Sequence, residues 1–558
     1  MEAASGSRGR RDAALVTFGL GAVVALAFAS SPPPAHANVL RVGRWHGVQG
    51  QFKTIQAAVD AAHKGDWILV GPGDYHERAD FTKRHHAPGD ESGAGVLIKK
   101  NGLHLRGMNR NRVVVDGTKP GSPECSSRLH DQSFGPKGDG GKRVGRNGIV
   151  IDKANGVWIE NLTACNFLGE GNQIWWNGGD GSGKIGMGAW YGNYLSATTT
   201  FYRSKRKQAS YGEFASNAHG PGRLTHSYAS NMNDAGVYIG ACAQRCHSVV
   251  TKSQFEFNAL GYSGTNAGGK LVLKKSEWDR NASGIVTNSQ NNDDAPSPQD
   301  GACKHGTGPT GTYSCTIFKK NFVHDNNNPH TPLTTPSPIG SGIVVAGGRD
   351  DMVTKNRVTH NGAWGILLAP YPDLGPPPPV AHCEGGIPDA LGPGSCLYDD
   401  WGNQVFKNTV ARNGFYGNPT NGDLAELSNA EPDRSNCWYA NKHPDGGASS
   451  TDPPGLQSFH GKAQCGQMPQ TAANSGELLA QAGCDSRALL GPCPSGPGLD
   501  YPAPGHVKLH RLPRQRSMPN PCKGVPSNPW CARQLMPGVR GHHHGLGSPA
   551  SPSPTPGY

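Results

Sequence analysis

The 558-residue chain is short of charge: Asp, Glu, Lys and Arg make up 17% of it, against about 25% in an average soluble domain. So little charge, with 79 glycines and 45 prolines, excludes long solvated helices and coiled coils, which need Glu and Lys outside and reject Gly and Pro within. Long apolar runs are equally scarce, and beyond residues 13–29 no segment is long or apolar enough to span a bilayer. There is no Gly-X-Y period, which excludes collagen, and with glycine counted the apolar share is near the globular norm, which excludes wholesale disorder. Acid is missing altogether from residues 501–558, which carry seven Lys and Arg. What remains is a chain of many turns and many short strands.

The formal net charge is +11. Arg8, Arg10 and Arg11 precede the apolar run Ala13 to Ala29, and Ala35-His36-Ala37 follows. That order reads as a secretory signal peptide over residues 1–37, which predicts an extracellular protein. The Arg10-Arg11 pair raises a twin-arginine route, although Asp12-Ala13-Ala14 departs from that pattern; an uncleaved anchor is the rival reading. All 14 cysteines lie beyond Ala37, and an even number in an exported chain predicts disulfides. Neighbours that would close short loops are Cys242/Cys246, Cys303/Cys315, Cys383/Cys396, Cys484/Cys493 and Cys522/Cys531. No second Cys/His pair stands at finger-like distance from Cys242 and Cys246, so no metal site is assigned.

The chain repeats. Ser253-Gln-Phe255-Glu-Phe-Asn258 is echoed 23 residues later by Ser276-Glu-Trp278-Asp-Arg-Asn281. The same frame recurs at Asn161 to Asn166, Asn321 to Asn326, Asn356 to Asn361 and Asn408 to Asn413, and Tyr228 to Asn233 fits with Tyr in the first place. Short β-rich runs punctuated by Asn and Gly at this period describe one solenoid coil each, with the corners in the left-handed backbone conformation and strands pairing coil on coil. Asn at equivalent corners can stack into an amide ladder. The predicted fold is all-β: a right-handed parallel β-helix with three short strands per coil. Phe52-Lys-Thr54-Ile55-Gln-Ala-Ala-Val59 reads as an amphipathic helix capping the first coil.

With this cap and the following Pro72-Gly73-Asp74-Tyr75, residues 48–418 resemble the pectate-lyase-like superfamily of parallel β-helix proteins. The resemblance implies the fold, and implies lyase, hydrolase, epimerase or esterase activity on polysaccharides only as a class. No member signature is intact. Val157-Trp158-Ile159-Glu160-Asn161 has Glu-Asn where a pectate lyase carries Asp-His, and Ala218-His219-Gly220 precedes Asn292-Asp293-Asp294, the reverse of a polygalacturonase.

The candidate catalytic residues are therefore read from residue type. Asp293 and Asp294 are the best acidic pair, suited to acid–base work on a glycosidic bond or, as the one cofactor considered, to Ca²⁺. His219, Arg223 and His226 form a general-base set. Trp175, Trp176, Trp190 and Tyr191 could stack on sugars, or pack their loop onto the solenoid. Arg245, Lys270 and Asp293 each stand nine residues after a coil-opening glycine and would form a charged column if the register holds. Loops are expected at 117–146, 170–215, 290–315 and 369–399.

The expected organisation is 1–37 signal peptide, 38–147 cap and first coils, 148–420 β-helix, 421–535 a Cys/Pro-rich extension and 536–558 a low-complexity tail. The functional expectation is a secreted monomer that binds, and in one reading processes, an extracellular polysaccharide or anionic wall polymer. The alternative is a non-catalytic surface or adhesion rod; whether the chain is an enzyme stays open, and no nucleic-acid partner is expected. Setting aside the leader and the last 58 residues leaves only +3 on the body, so the basic balance belongs to a tail that could associate with the cell surface.

Overall fold

The computed structural model describes residues 37–79, 93–138, 140–203, 207–242, 246–291, 316–332, 338–375, 383, 385–427, 436–459, 476–478, 480–481, 493, 495–502 and 505–532. One compact unit begins at Asn38. Three long sheets run its length, and each coil contributes one strand to each in turn. Sheet I has twelve strands among the described residues, from Val39–Val42 to Cys437–Tyr439. Sheet II has ten, from Gly73–Tyr75 to Thr409–Ala411, and sheet III eleven, from Gly93–Ile98 to Thr451–Asp452. Pairing within all three is parallel, and parallel crossovers of L-residues wind right-handed. The chain is a right-handed parallel β-helix.

The 23-residue echo is the sheet II strand with its two corners. Its middle residue points inward, so Ala229, Phe255, Trp278, Val323, Val358 and Val410 stack in the core, all fully buried. The frame's first and last positions are ladder rungs. Between sheets I and II, the backbone N–H of Asn321 donates to Asn356 Oδ1 at 3.0 Å and that of Asn356 to Asn408 Oδ1 at 2.9 Å. Between sheets II and III, Asn258 donates to Asn281 (2.9 Å), Asn326 to Asn361 (3.2 Å) and Asn361 to Asn413 (3.0 Å). A third ladder, at the return to sheet I, runs through Asp351, Asn403 and Asn436. Each rung satisfies a buried corner amide that the strands cannot reach.

Helix α1 (Ile55–Ala61) caps the first coil as expected. Thr54 accepts from Ala57 N, Ile55, Ala58 and Val59 are buried, and the Glu77 carboxylate accepts from Ile55 N and Gln56 N.

Several expectations need correction. Residues 170–215 are not a loop: Ile174–Asn177, Trp190–Asn193, Ser196–Thr198 and Tyr211–Ser216 are strands of sheets III, I, II and III, a coil whose period is merely stretched. The solenoid does not end near residue 420 but adds Gly422–Glu426, Cys437–Tyr439 and Thr451–Asp452. The segments 117–138 and 370–375 do leave the coil, the latter as part of a small antiparallel sheet over Tyr371–Asp373, Ile387–Pro388 and Cys396–Tyr398, and 292–315 of the third expected loop lie outside the described residues. Cys242–Cys246, Cys383–Cys396 and Cys522–Cys531 are bonded, and Cys125–Cys165, not foreseen, ties the first insertion to sheet II. Cys303, Cys315 and Cys484 lie outside the described residues.

The C-terminal extension is the largest departure. Residues 505–532 contain no sheet strand, yet they run back along the solenoid as a strap. Gly505 N donates to Pro329 O, His510 exchanges two bonds with Asn231, Gln515 two with Asn111, and Asn161 Oδ1 accepts from Ser517 Oγ and Met518 N. Arg106 donates to Pro521 O and Lys523 O, and Trp530 Nε1 to Val48 O. The strap thus passes from a late coil to the first one.

Candidate active site

In a three-residue strand the outer residues face away from the core, so each coil offers two outward side chains on sheet II. One column reads Ser196, Tyr228, Gln254, Glu277, Phe322, Arg357; the other reads Thr198, Ser230, Glu256, Asp279, His324, Thr359. Four consecutive coils therefore bring Tyr228, Glu256, Glu277, Asp279 and His324 onto one face, joined by Arg280 from the corner.

The contacts form one network. Tyr228 donates to Glu256 Oε1 at 2.8 Å. Arg280 pairs with Asp279 at 2.7 Å and with Glu256 at 3.4 Å, and Gln254 donates to the other Asp279 oxygen at 3.1 Å. His324 sits between two carboxylates, Glu277 at 3.1 Å and Asp325 at 2.6 Å, with its ring stacked on Phe322. Burial pushes the carboxyl groups of Glu256 and Asp279 up, and the same burial, aided by Glu256, raises the Tyr228 phenol. For His324, burial works against the charged ring, but the bonds to Glu277 and Asp325 prevail and its pKa is raised. The hydrogen bond from His324 lowers that of Glu277. The pairing therefore favours the charged form of both His324 and Glu277 at the surface, over a deeper layer that retains protons more readily.

Glu277, Asp279 and His324 lie close enough to share a cation, as do Asp74, His76 and Asp116 near the first coils. In the first trio, however, Arg280 and Gln254 already occupy both Asp279 oxygens and carboxylates engage both His324 nitrogens. Arg280 supplies the positive charge that a metal would bring.

Beside this face runs a column of lysines. Lys252, Lys275, Lys320, Lys355 and Lys407 occupy the corner between sheets I and II on successive coils, all exposed and all at positive φ between 51° and 58°. No carboxylate pairs with them among the described residues. Holding a residue with a Cβ in this conformation costs roughly 1 kcal/mol, offset here by the ladder rung that follows each lysine. Lys252, Lys275 and Lys320 line a cleft of about 510 Å³ with Glu277, Phe322, Arg110, His226 and, from the strap, Arg516. A larger cleft, about 750 Å³, lies by the first insertion; it is lined by Arg78, Lys119, Arg143 and Arg146 and by no carboxylate or imidazole.

The residues expected from sequence are dispersed. Trp176 and Trp190 are fully buried and tilted against each other at 5.1 Å in the core, so no sugar reaches them. Trp175 lies on the outer face of sheet III, stacked on Phe214, and Tyr191 on that of sheet I, stacked on Trp158, so these two rings flank different faces. His219 and His226 sit at opposite ends of the strand Gly222–Thr225 and do not form one set; Arg223 is exposed on sheet I, and His226 stacks on Tyr194. Lys270 is at the sheet III–sheet I corner, away from sheet II. Arg245, Asp293 and Asp294 lie outside the described residues.

The lysine column was visible in the sequence. The residue before each frame is Lys in five copies, in Thr251-Lys252-Ser253, Lys274-Lys275-Ser276, Lys319-Lys320-Asn321, Thr354-Lys355-Asn356 and Phe406-Lys407-Asn408. Starting the frame at Ser or Asn hid it.

No family model and no curated protein matches the chain. Among solved structures it is similar to the A-module of the mannuronan C-5 epimerase AlgE6 from Azotobacter vinelandii, at 14% identity over 71% of this chain and 86% of that one, with a TM-score of 0.37. It is also similar to a PL6 family polysaccharide lyase from Pseudopedobacter saltans (11% identity, 72% and 86% covered, TM-score 0.33) and to the pectin methylesterase PemA from Erwinia chrysanthemi (13%, 52% and 79%, 0.23). The names carry different chemistries, so the likeness extends to the fold and stops there.

Proposed function

We propose that the chain is an enzyme of extracellular polysaccharides, acting on an acidic glycan laid along the open stretch of sheet II. The observation that carries this reading is the juxtaposition of the Glu277–His324 pair with Arg280 and the lysine column. The cations hold sugar carboxylates and draw charge from them. Coils rise by about 4.8 Å, close to the length of one pyranose, so lysines on successive coils can meet successive sugars.

Proton transfer then favours β-elimination over hydrolysis. Hydrolysis needs two carboxyl groups flanking the bond. Of the carboxylates on the floor of sheet II only Glu277 presents itself openly, with 41% of its side chain exposed; Asp279 is sealed under Gln254 and Arg280, and the exposed Asp325 stands at the corner, bound to the other nitrogen of His324. In elimination Glu277 takes the proton from the carbon beside the sugar carboxylate and the electron pair forms the new double bond. The glycosidic bond breaks and its oxygen leaves with the proton from the His324 imidazolium.

The test is a panel of acidic and neutral polysaccharides, followed both by ultraviolet absorbance of unsaturated ends and by reducing ends. Wild-type protein should produce both signals together on an acidic glycan, and His324→Ala should lower kcat about 100-fold or more while the fold stays intact. Reducing ends without unsaturation would overturn elimination. No turnover on any glycan would leave binding alone and favour the adhesion reading.

A further inference from the structure

The strap walls the trough on two sides. Residues 505–510 follow the corner between sheets II and III, from Pro329 and His330 to Asn231, where His510 stacks on Phe257 at 3.6 Å. Between His510, held by Asn231, and Gln515, held by Asn111, the strap crosses to the opposite corner, where Arg110 donates to both Arg516 O and His226 O. This crossing lies over the coils of Ser196–Thr198 and Tyr228–Ser230.

Burial records the crossing. Ser196, Thr198, Tyr228 and Ser230 point outward from sheet II yet are at most 1% exposed, Ser196 with Arg110 donating to it; on the next coils Gln254, Glu277, Phe322 and His324 are all partly exposed, while Glu256 and Asp279 are buried within their own network with Tyr228, Gln254 and Arg280. Toward later coils the column beside the lysines stays open, with Arg357 and Thr409 exposed, while Thr359 and Ala411 on the far column are buried. The trough is thus closed at its early-coil end and open along its lysine side at the other, with Glu277 two coils and His324 three coils beyond the covered coil Tyr228–Ser230.

Building on the reading above, we propose that the strap makes the trough blind, so that a glycan enters by its end and is processed from that end, a few sugars at a time, rather than cut at internal positions. The ligand class is the terminus of an acidic polysaccharide. The lysines out to Lys407 hold the trailing chain.

The first experiment uses the full chain and the acidic glycan that gives turnover, following product size with time beside viscosity. The expected result is one short product from the earliest turnover with viscosity nearly constant; a broad ladder of sizes with a rapid fall in viscosity would overturn the proposal while leaving the enzymatic reading intact. A chain ending at residue 504 should convert the pattern to a ladder, and an unchanged short product would show that the strap is not the barrier. Should that truncation fail to fold, His324→Ala serves in a binding arm with polygalacturonate and alginate. At constant mass, fragments with ten times as many ends should bind about ten times as much protein. Binding that tracks mass and ignores ends would overturn end entry without reference to turnover. Absence of binding to either polymer would remove the acidic-glycan reading and this inference with it.

Discussion

Asp351 occupies a rung that the next two coils give to asparagine. Its Oδ1 accepts from Thr316 N at 2.8 Å, while Oδ2 is buried with no partner, where Asn403 has an amide nitrogen donating to Gly348 O. Burial pushes the Asp351 carboxyl up to about 8, and burial likewise lifts Glu426 to about 7. A carboxyl group whose pKa is higher folded than unfolded binds more protons when folded, so stability is full below the unfolded pKa and is lost as pH rises through the folded value. The protein should therefore be more stable at pH 5 than at pH 8. Asp351→Asn keeps the Thr316 bond and supplies a donor in place of a buried charge. It should raise Tm at pH 8 by about 1 °C per kcal/mol regained in a unit of this size and change it little at pH 5, measured by calorimetry at both values. Equal shifts at the two pH values would show that charge is not what destabilises this rung.

At the scale of elements, the strands and the cap were legible and the strap was not. A repeat is legible because identical corners demand identical residues, as at Asn258, Asn281, Asn326 and Asn361. The stretched coil at 174–198 broke the period, which is why Trp176 and Trp190 passed for loop residues when the same alternation puts them in the core. The chemistry was less legible still, because Glu256, Glu277, Asp279 and His324 are adjacent only through coil stacking, and each stood inside a frame already explained by structure. The strap lacks periodicity because its partners are irregular: backbone groups at 510, 515 and 521 meet side chains of Asn231, Asn111 and Arg106. Composition alone reads such a segment as loose tail. Its attachment can be tested at one point. Asn231→Ala removes both bonds to His510, 2.8 and 3.0 Å, and should speed tryptic cleavage after the exposed Arg511 and Arg514 several-fold, followed by mass spectrometry, with the solenoid core uncut. Unchanged cleavage would mean that the strap is anchored mainly through its Gln515 to Trp530 contacts.

For the whole molecule, the basic balance has moved from the end of the chain to one face of the solenoid. Lys508, Arg511, Arg514, Arg516 and Lys523 belong to the strap, and Arg516 faces the same cleft as Lys252, Lys275 and Lys320. A nearly neutral body can still present a concentrated positive edge, because the β-helix adds one lysine per coil along a straight line while its acids are spent internally on Arg106, Arg280 and the ladders. Such an edge attracts a polyanion over roughly a Debye length, about 8 Å at physiological salt, and is screened beyond it. Single exposed charge pairs are worth about 0.2–1 kcal/mol, so each lysine removed should weaken binding by only about 1.4- to 5-fold at low salt, and the effects should multiply along the column. Lys320→Ala, Lys355→Ala and Lys407→Ala, made singly and together, should lower affinity for polygalacturonate stepwise and flatten its dependence on sodium chloride, measured by titration between low and physiological salt. Lys99→Ala, where the lysine is already paired with Asp152 at 3.3 Å away from sheet II, should change neither. If the triple variant keeps both the affinity and the salt slope, the lysine column is a consequence of corner geometry alone, and the glycan is held by the Arg280 network on the trough floor.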